Sequence, residues 1–198
     1  MSAPVRRTQA ARTAETRRRI LDAVVESIAE IGFSRTTATE IARRAGVTWG
    51  AVQHHFGAKG GILLAVLEDT FERLEARLED IPADAPLERR VALFVERAWQ
   101  HFSSPHFHST FEILLHHGRG DGEEVPPHWQ EKMFRDLDRV FERLFSDSHL
   151  PRRDRASLHQ YAVAELQGLA MLEMLDEPRS RRPQLLLLER TLVAELGG

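Results

Sequence analysis

The residues whose types and spacing could do chemistry lie in the stretch 37–56, and that chemistry is recognition of a surface rather than bond breaking. Thr37 stands three positions before Glu40, the spacing of a capping box in which hydroxyl and carboxylate each satisfy the other's backbone N–H. Gly46 offers the positive φ that a tight turn needs, and Thr48 is a second N-cap. Ile41, Ala42, Val47 and Val52 are small or apolar where two crossing helices must seal against each other. The spacing predicts one helix from Thr37 to about Ala45 and another from Thr48 to about Phe56, the grammar of a helix-turn-helix. Val52 and Phe56 share one face of the second helix, and Gly50 and His54 point away from it. A DNA major groove about 12 Å wide admits such a helix. There, Gly50 and Ala51 leave room for close approach and for thymine methyls, Gln53 can pair with adenine, and Trp49 and His54 offer flat edges.

The ten histidines pose a second chemical question. His101 and His106 flank Ser103, Ser104 and Pro105, which break helical register, and the adjacent His116 and His117 point about 100° apart on a helix. Neither arrangement is the i, i+4 pair that chelates from one helix face, so no metal and no cofactor are expected. His108 and the others suit a pocket wall as donors or acceptors. The absence of cysteine excludes disulfides, thiol nucleophiles and cysteine zinc fingers. No Glu-x-x-His repeat, nucleophile elbow or glycine-rich phosphate loop is present, so an enzyme is not expected. A metal-responsive regulator and a helical-bundle enzyme stand as the alternatives.

The elements that must position these residues are helices. The 24 Leu and 22 Ala outnumber the β-branched residues, which tilts the chain to all-α. Apolar residues recur at three- and four-residue spacing from Ala14 to Ile31, with Gly32 as a stop. Beyond the two short helices, amphipathic segments run over 62–78, 87–102, 105–117, 127–145, 151–175 and 183–196, giving nine helices and no sheet. Proline stands at or near the start of four of them, where its missing N–H would have no partner. Residues 1–60 hold ten Lys and Arg against five acids, whereas 61–198 hold 17 against 25, so the chain is basic at the end that carries the helix-turn-helix. Such asymmetry suits a polyanionic partner. The most apolar run, 185–188, is far short of the roughly 20 residues of a bilayer span, so a cytoplasmic protein without a membrane partner is expected.

The run Ile20-Leu21, Gly32-Phe33, Thr36-Thr37, Glu40-Ile41-Ala42, Ala45-Gly46-Val47-Thr48, Gly50-Ala51-Val52, His55-Phe56 and Lys59, followed by Leu63-Leu64, resembles the DNA-binding domain of the TetR family of transcriptional regulators. Residues 1–12, with three Arg and almost no large apolar side chains, are expected as a basic disordered arm, and the resemblance implies a helix-turn-helix domain over 13–60 and a larger helical ligand-binding and dimerisation domain over 61–198. It also implies a homodimer on a palindromic stretch of double-stranded operator DNA, usually a repressor released by a small molecule. Trp49, Gly50, Ala51 and Gln53 match the base-facing positions, and Thr37, Thr48, His54, His55 and Lys59 match those near phosphates. Two departures stand out. Gln53 replaces the usual Tyr, and Ala58 and Gly60 stand where Ser and Glu are common, so the fourth helix is expected to begin softly at Gly60-Gly61, either as a hinge or as a frayed start without consequence.

For the second domain, Phe102, Phe107, Phe111, Trp129, Met133 and Phe134 are candidate linings of an apolar ligand pocket, with Tyr161 and Gln167 as polar members. The effector's identity is left open. The last two helices are apolar around their circumference, so Leu158, Leu166, Leu169, Leu172, Leu188, Leu192 and Leu196 are candidates for a symmetric dimer interface.

Overall fold

A computed structural model describes residues 9–57, 59–117, 128–175 and 180–198, without the side chains of 59, 117 and 128–130. Among the described residues the chain is all-helical: α1 (Gln9–Ile31), α2 (Ala38–Ala45), α3 (Trp49–Phe56), α4 (Lys59–Glu79), α5 (Leu87–Phe102), α6 (Pro105–His117), α7 (His128–Leu144), α8 (Arg152–Leu175) and α9 (Arg182–Gly197), with a 3-10 turn at Phe33–Arg35. The chain divides into two compact units, Met1–Asp69 with Ser109–Val125 and Thr70–His108 with Pro126–Gly198. The division falls inside α4 and α6, whereas the sequence suggested a single boundary after residue 60. Helix α1 starts at Gln9, so residues 9–12, expected in a disordered arm, are helical; residues 1–8 lie outside the described residues.

In the first unit α1 buries Ile20, Leu21, Val24, Val25 and Ile28, the three- and four-residue stripe of the sequence, and packs against α2. Gly32 ends it at φ 79, a conformation that L side chains rarely adopt. The buried Thr36 hydroxyl then donates to the Gly32 carbonyl at 3.0 Å and meets Ser27 Oγ at 3.1 Å. The later part of α6 docks on the same place: Ser109 Oγ donates to the Val25 carbonyl at 3.1 Å, Phe33 N donates to Glu112 Oε2 at 3.0 Å, and His116 stacks on Phe33 with centroids 4.6 Å apart.

At the start of α4 Gly61, one of the two glycines expected to begin the helix softly, stands against backbone. A Cβ built on Gly61 would lie 2.0 Å from the carbonyl oxygen of Phe56, the last residue of α3. Gly61 is there because two backbones touch, and a point of backbone contact is the opposite of a loose joint.

In the second unit α5 packs on α8 and α9, and α7 packs on α8. Phe94 of α5 meets Phe141 of α7 edge to face at 5.3 Å, and Phe145, just beyond α7, at 6.2 Å. Arg90 is buried beside them, and its guanidinium forks onto Asp147 at 2.7 and 2.6 Å while also donating to the Leu144 carbonyl. Arg143 donates to the carbonyls of Leu78 and Glu79 at 3.1 Å, closing the end of α4 where intrahelical donors have run out. Leu166 and Leu169 of α8 and Leu188, Leu192 and Leu196 of α9 are buried inside this single chain, which removes them as interface candidates. Leu158 is half-buried, and Leu172 is 50% exposed. Leu175, Leu186 and Leu187 also stay outside, along the end of α8 and the start of α9. Both helices are apolar on more than one arc, and the pattern alone does not say which arc meets the chain's own core.

Gly61→Ala is expected to destabilise the protein by about 1 to 3 kcal/mol, the cost of overpacking against backbone, in place of the gain of roughly 1 kcal/mol that Gly→Ala brings in an open helix. Urea denaturation followed by circular dichroism measures it; an unchanged or raised midpoint would contradict the backbone contact.

Candidate nucleic-acid interface

Local chemistry builds the helix-turn-helix. Thr37 is extended at the N-cap of α2 and its side chain accepts from Glu40 N at 3.3 Å. Only this half of the expected capping box forms. The Glu40 carboxylate turns instead to Arg43, which grips it at 2.9 and 2.6 Å, and to Nε of Arg44, because two cationic guanidinium groups offer it three bonds where the Thr37 backbone offers one. Gly46 stops α2 in the left-handed region, φ 62 and ψ 39, and Val47 N donates to the Ala42 carbonyl at 3.1 Å, the pattern of a Schellman turn. Thr48 caps α3 by accepting from Ala51 N at 3.2 Å. Val52 is fully buried and anchors the helix, and Gly57 closes it with its N–H on the Gln53 carbonyl at 2.8 Å.

Two clamps from α1 hold this pair, and the sequence showed their residues only as charge. Arg19 donates from Nη2 to the Ala45 carbonyl and, at 3.2 Å, to that of Gly46, bracing the turn. Arg44 bonds Glu30 of α1 at 2.6 Å as well as Glu40, with its side chain only 14% exposed. The guanidinium groups of Arg43 and Arg44 hold the Glu40 carboxyl down to about 2. Arg17 adds a cation–π contact, its guanidinium carbon 4.7 Å from the centre of the Phe56 ring. An arginine three or four residues from a glutamate was legible as a helical pair; Arg44 with Glu30 was not, since the turn between helices brings them together.

The outward side of α3 is then free to meet a partner. Gly50, Gln53 and His54 are exposed, Trp49, Ala51 and His55 are half-buried, and Thr37 and Thr48 stand exposed at the two caps. A Cβ on Gly50 would find nothing nearer than Thr48 Oγ1 at 3.8 Å, so the fold does not require that glycine. Lys59 begins α4, and its side chain lies outside the described residues.

The candidate pocket residues fall in both units: Phe111 is half-buried in the first, and the rest belong to the second. Phe102 and Phe107 are core, 4.8 Å apart edge to face with the buried His101 ring against both. Met133 and Gln167 are half-buried, Phe134 and Tyr161 are each 48% exposed, and the Trp129 side chain lies outside the described residues. Burial pushes His101 down to about 3, and burial also lowers His108 and His159 against the pull of Glu173 and Asp138, so these histidines are neutral near pH 7. Among the described residues no three His, Asp or Glu come together as a metal site. A cavity of about 660 Å³ does open in the second unit, but between α5, the end of α8 and the start of α9, lined by Trp99, Glu173 and Arg181, which the sequence did not single out.

An all-helical chain with a capped, clamped helix-turn-helix presenting an open face is of the helix-turn-helix DNA-binding class. Residues 20–66 match the family described as bacterial regulatory proteins, tetR family. The chain is 38% identical over 112 residues to TtgW, an uncharacterized HTH-type transcriptional regulator of Pseudomonas putida, across 57% of this chain and 81% of that one. It is 39% identical over 112 residues to the HTH-type transcriptional regulator SrpR of Pseudomonas putida, across 57% of this chain and 51% of SrpR, so it spans about half that relative's length. Among solved structures it is similar to GusR of Salmonella enterica (TM-score 0.71, 17% identity, 96% of this chain and 98% of that one) and to PfmR of Thermus thermophilus (TM-score 0.61, 19% identity, 98% of each). The chain belongs to the TetR family, a class of transcription regulators rather than enzymes. Among the described residues no helix is long and apolar enough to cross a membrane.

Two expectations follow. Gly50→Ala should leave the fold as stable or up to about 1 kcal/mol more stable while weakening DNA binding, because the methyl fills space that only a partner needs; thermal melting and a gel shift read the two effects, and unchanged DNA affinity would remove Gly50 from the interface. Glu40→Gln should lower the melting temperature at pH 7, and the gap to the parent should close as pH falls from 4.5 toward about 2. The sign follows from the depressed carboxylate, whose contribution is present above its unfolded value and lost as acid protonates it. A gap that persists below pH 2 would show that Glu40 acts through packing alone.

Proposed function

We propose that this chain is a ligand-responsive transcriptional repressor that binds a palindromic operator as a homodimer, inserting α3 into the major groove, and that a small apolar or aromatic effector releases it. The observation that carries the reading is the face of Gly50, Gln53 and His54, which is exposed on α3, the helix that follows a turn and an α2 tied to α1 by Arg19 and by the Arg44–Glu30 pair. Pre-organisation of that kind suits a helix that must fit a groove without rearranging. The exposed Leu172, Leu175, Leu186 and Leu187 at the end of α8 and start of α9 favour a second copy as the partner that covers them. The cavity of about 660 Å³ falls in the size range of small-molecule sites and supports an effector.

The test is a gel shift on genomic fragments, combined with sedimentation. A dimer with two recognition helices about 34 to 36 Å apart, one duplex turn, is expected. Gln53→Ala should lose about 1 to 3 kcal/mol at one base position with nonspecific affinity retained, whereas Lys59→Ala should weaken all sequences alike and lower the salt slope by about one unit. Uniform loss with Gln53→Ala would move that residue to a backbone contact, and a stable monomer that binds no DNA would end the proposal.

A further inference from the structure

The cavity between α5, α8 and α9 is lined by two charged side chains with buried atoms that no hydrogen bond reaches among the described residues. Glu173, near the end of α8, buries Oε2 without a hydrogen-bond partner, and Arg181, the N-cap of α9, buries Nε and Nη2 in the same condition. Orphaned buried charges are costly, so such atoms mark a place where something else is meant to bind. The pair of nitrogens is informative. Nε and Nη2 lie along one edge of the guanidinium, the edge with which this chain grips carboxylates elsewhere: Arg155 reaches the two oxygens of Glu142 at 3.2 and 2.8 Å, and Arg43 those of Glu40 at 2.9 and 2.6 Å. At Arg181 the same fork has no acid on it among the described residues.

The neighbours narrow the ligand further. Trp99 of α5 gives the cavity an aromatic wall, continued by Val95 and Leu185. The N-terminus of α9 adds little beside Arg181, since Arg182 N already donates to Ser180 Oγ at 3.4 Å and Pro183 has no N–H, so the Arg181 fork is the group that calls for an anion. Glu96 and Glu189 also line the space, with Arg182 acting on Glu189, so the Arg181 fork is the cationic edge left for one carboxylate. A single carboxylate fits the fork, a ring fits the wall, and Glu173 requires a donor.

We propose that this cavity binds an aromatic carboxylate that also carries a hydrogen-bond donor, its carboxylate two-pronged on Nε and Nη2 of Arg181, its ring against Trp99 and its hydroxyl or amino group on Glu173. The assignment takes from the effector-released reading only its consequence for DNA; the binding itself is independent of it.

Calorimetric titration of the full chain without DNA tests the site, using 4-aminobenzoate and L-tryptophan as probes, with aniline and tryptamine as their counterparts lacking the carboxylate. Saturable binding of at least one carboxylate is expected, with none of its counterpart. Arg181→Lys keeps the charge but loses the fork, and should weaken binding by about tenfold or more, as should Glu173→Ala. Trp99→Leu keeps an apolar wall and removes the ring, so a drop there reads the site independently should either charge variant fail to fold by circular dichroism. The proposal is overturned if neither carboxylate saturates, if the amines bind equally well, or if the folded variants bind like the parent. A parallel gel shift separates the two readings: a chain that binds the carboxylate but no DNA overturns the repressor and leaves the site, and a chain that binds DNA but neither carboxylate overturns the site alone.

Discussion

Arg44 joins two helices that would otherwise fold separately. Its guanidinium ties Glu40 within α2 to Glu30 on α1, and Arg19 does the same for the turn that follows, holding the carbonyls of Ala45 and Gly46. Helices as short as α2 and α3 are marginal in isolation, because nucleation fixes several residues before hydrogen bonds accumulate. What makes them a rigid pair is the longer α1 behind them, through the burial of Ile41, Ala42 and Val52 and through these charged clamps. Every property of the outward face of α3 depends on that arrangement, since a side chain can be aimed at a groove only from a backbone that does not move.

The clamps also revise the electrostatics. A basic first third suggests a field of free positive charge, but Arg43 and Arg44 are held by Glu40 and Glu30, and Arg19 is turned to backbone carbonyls. Part of the apparent surplus is structural cement. The second unit follows the same economy: Arg90, Arg143 and Arg155 each satisfy carbonyls left over where a helix or loop ends, and Arg90 and Arg155 add a carboxylate. Arg181 stands apart from that pattern, an arginine whose carboxylate-gripping edge meets no acid among the described residues and lies beside a cavity.

The sequence by itself determined what local physics decides. Thr37, Gly46 and Thr48 set where α2 and α3 begin and end, because caps and left-handed turns are satisfied within a few residues of chain. The apolar spacing gave α5 to α9 to within a residue or two, and Gly50 and His54 were recognisable as outward-facing from their angle to Val52. Tertiary structure decided the rest. It chose which arc of α8 and α9 is core, so Leu166 and Leu192 went inside while Leu175 and Leu187 stayed out; it set Gly61 against the Phe56 carbonyl; and it placed the cavity of the second unit beside Trp99. These outcomes depend on side chains far apart in sequence meeting at close-packed density, and a periodic pattern names the apolar faces of a helix without naming what each will touch.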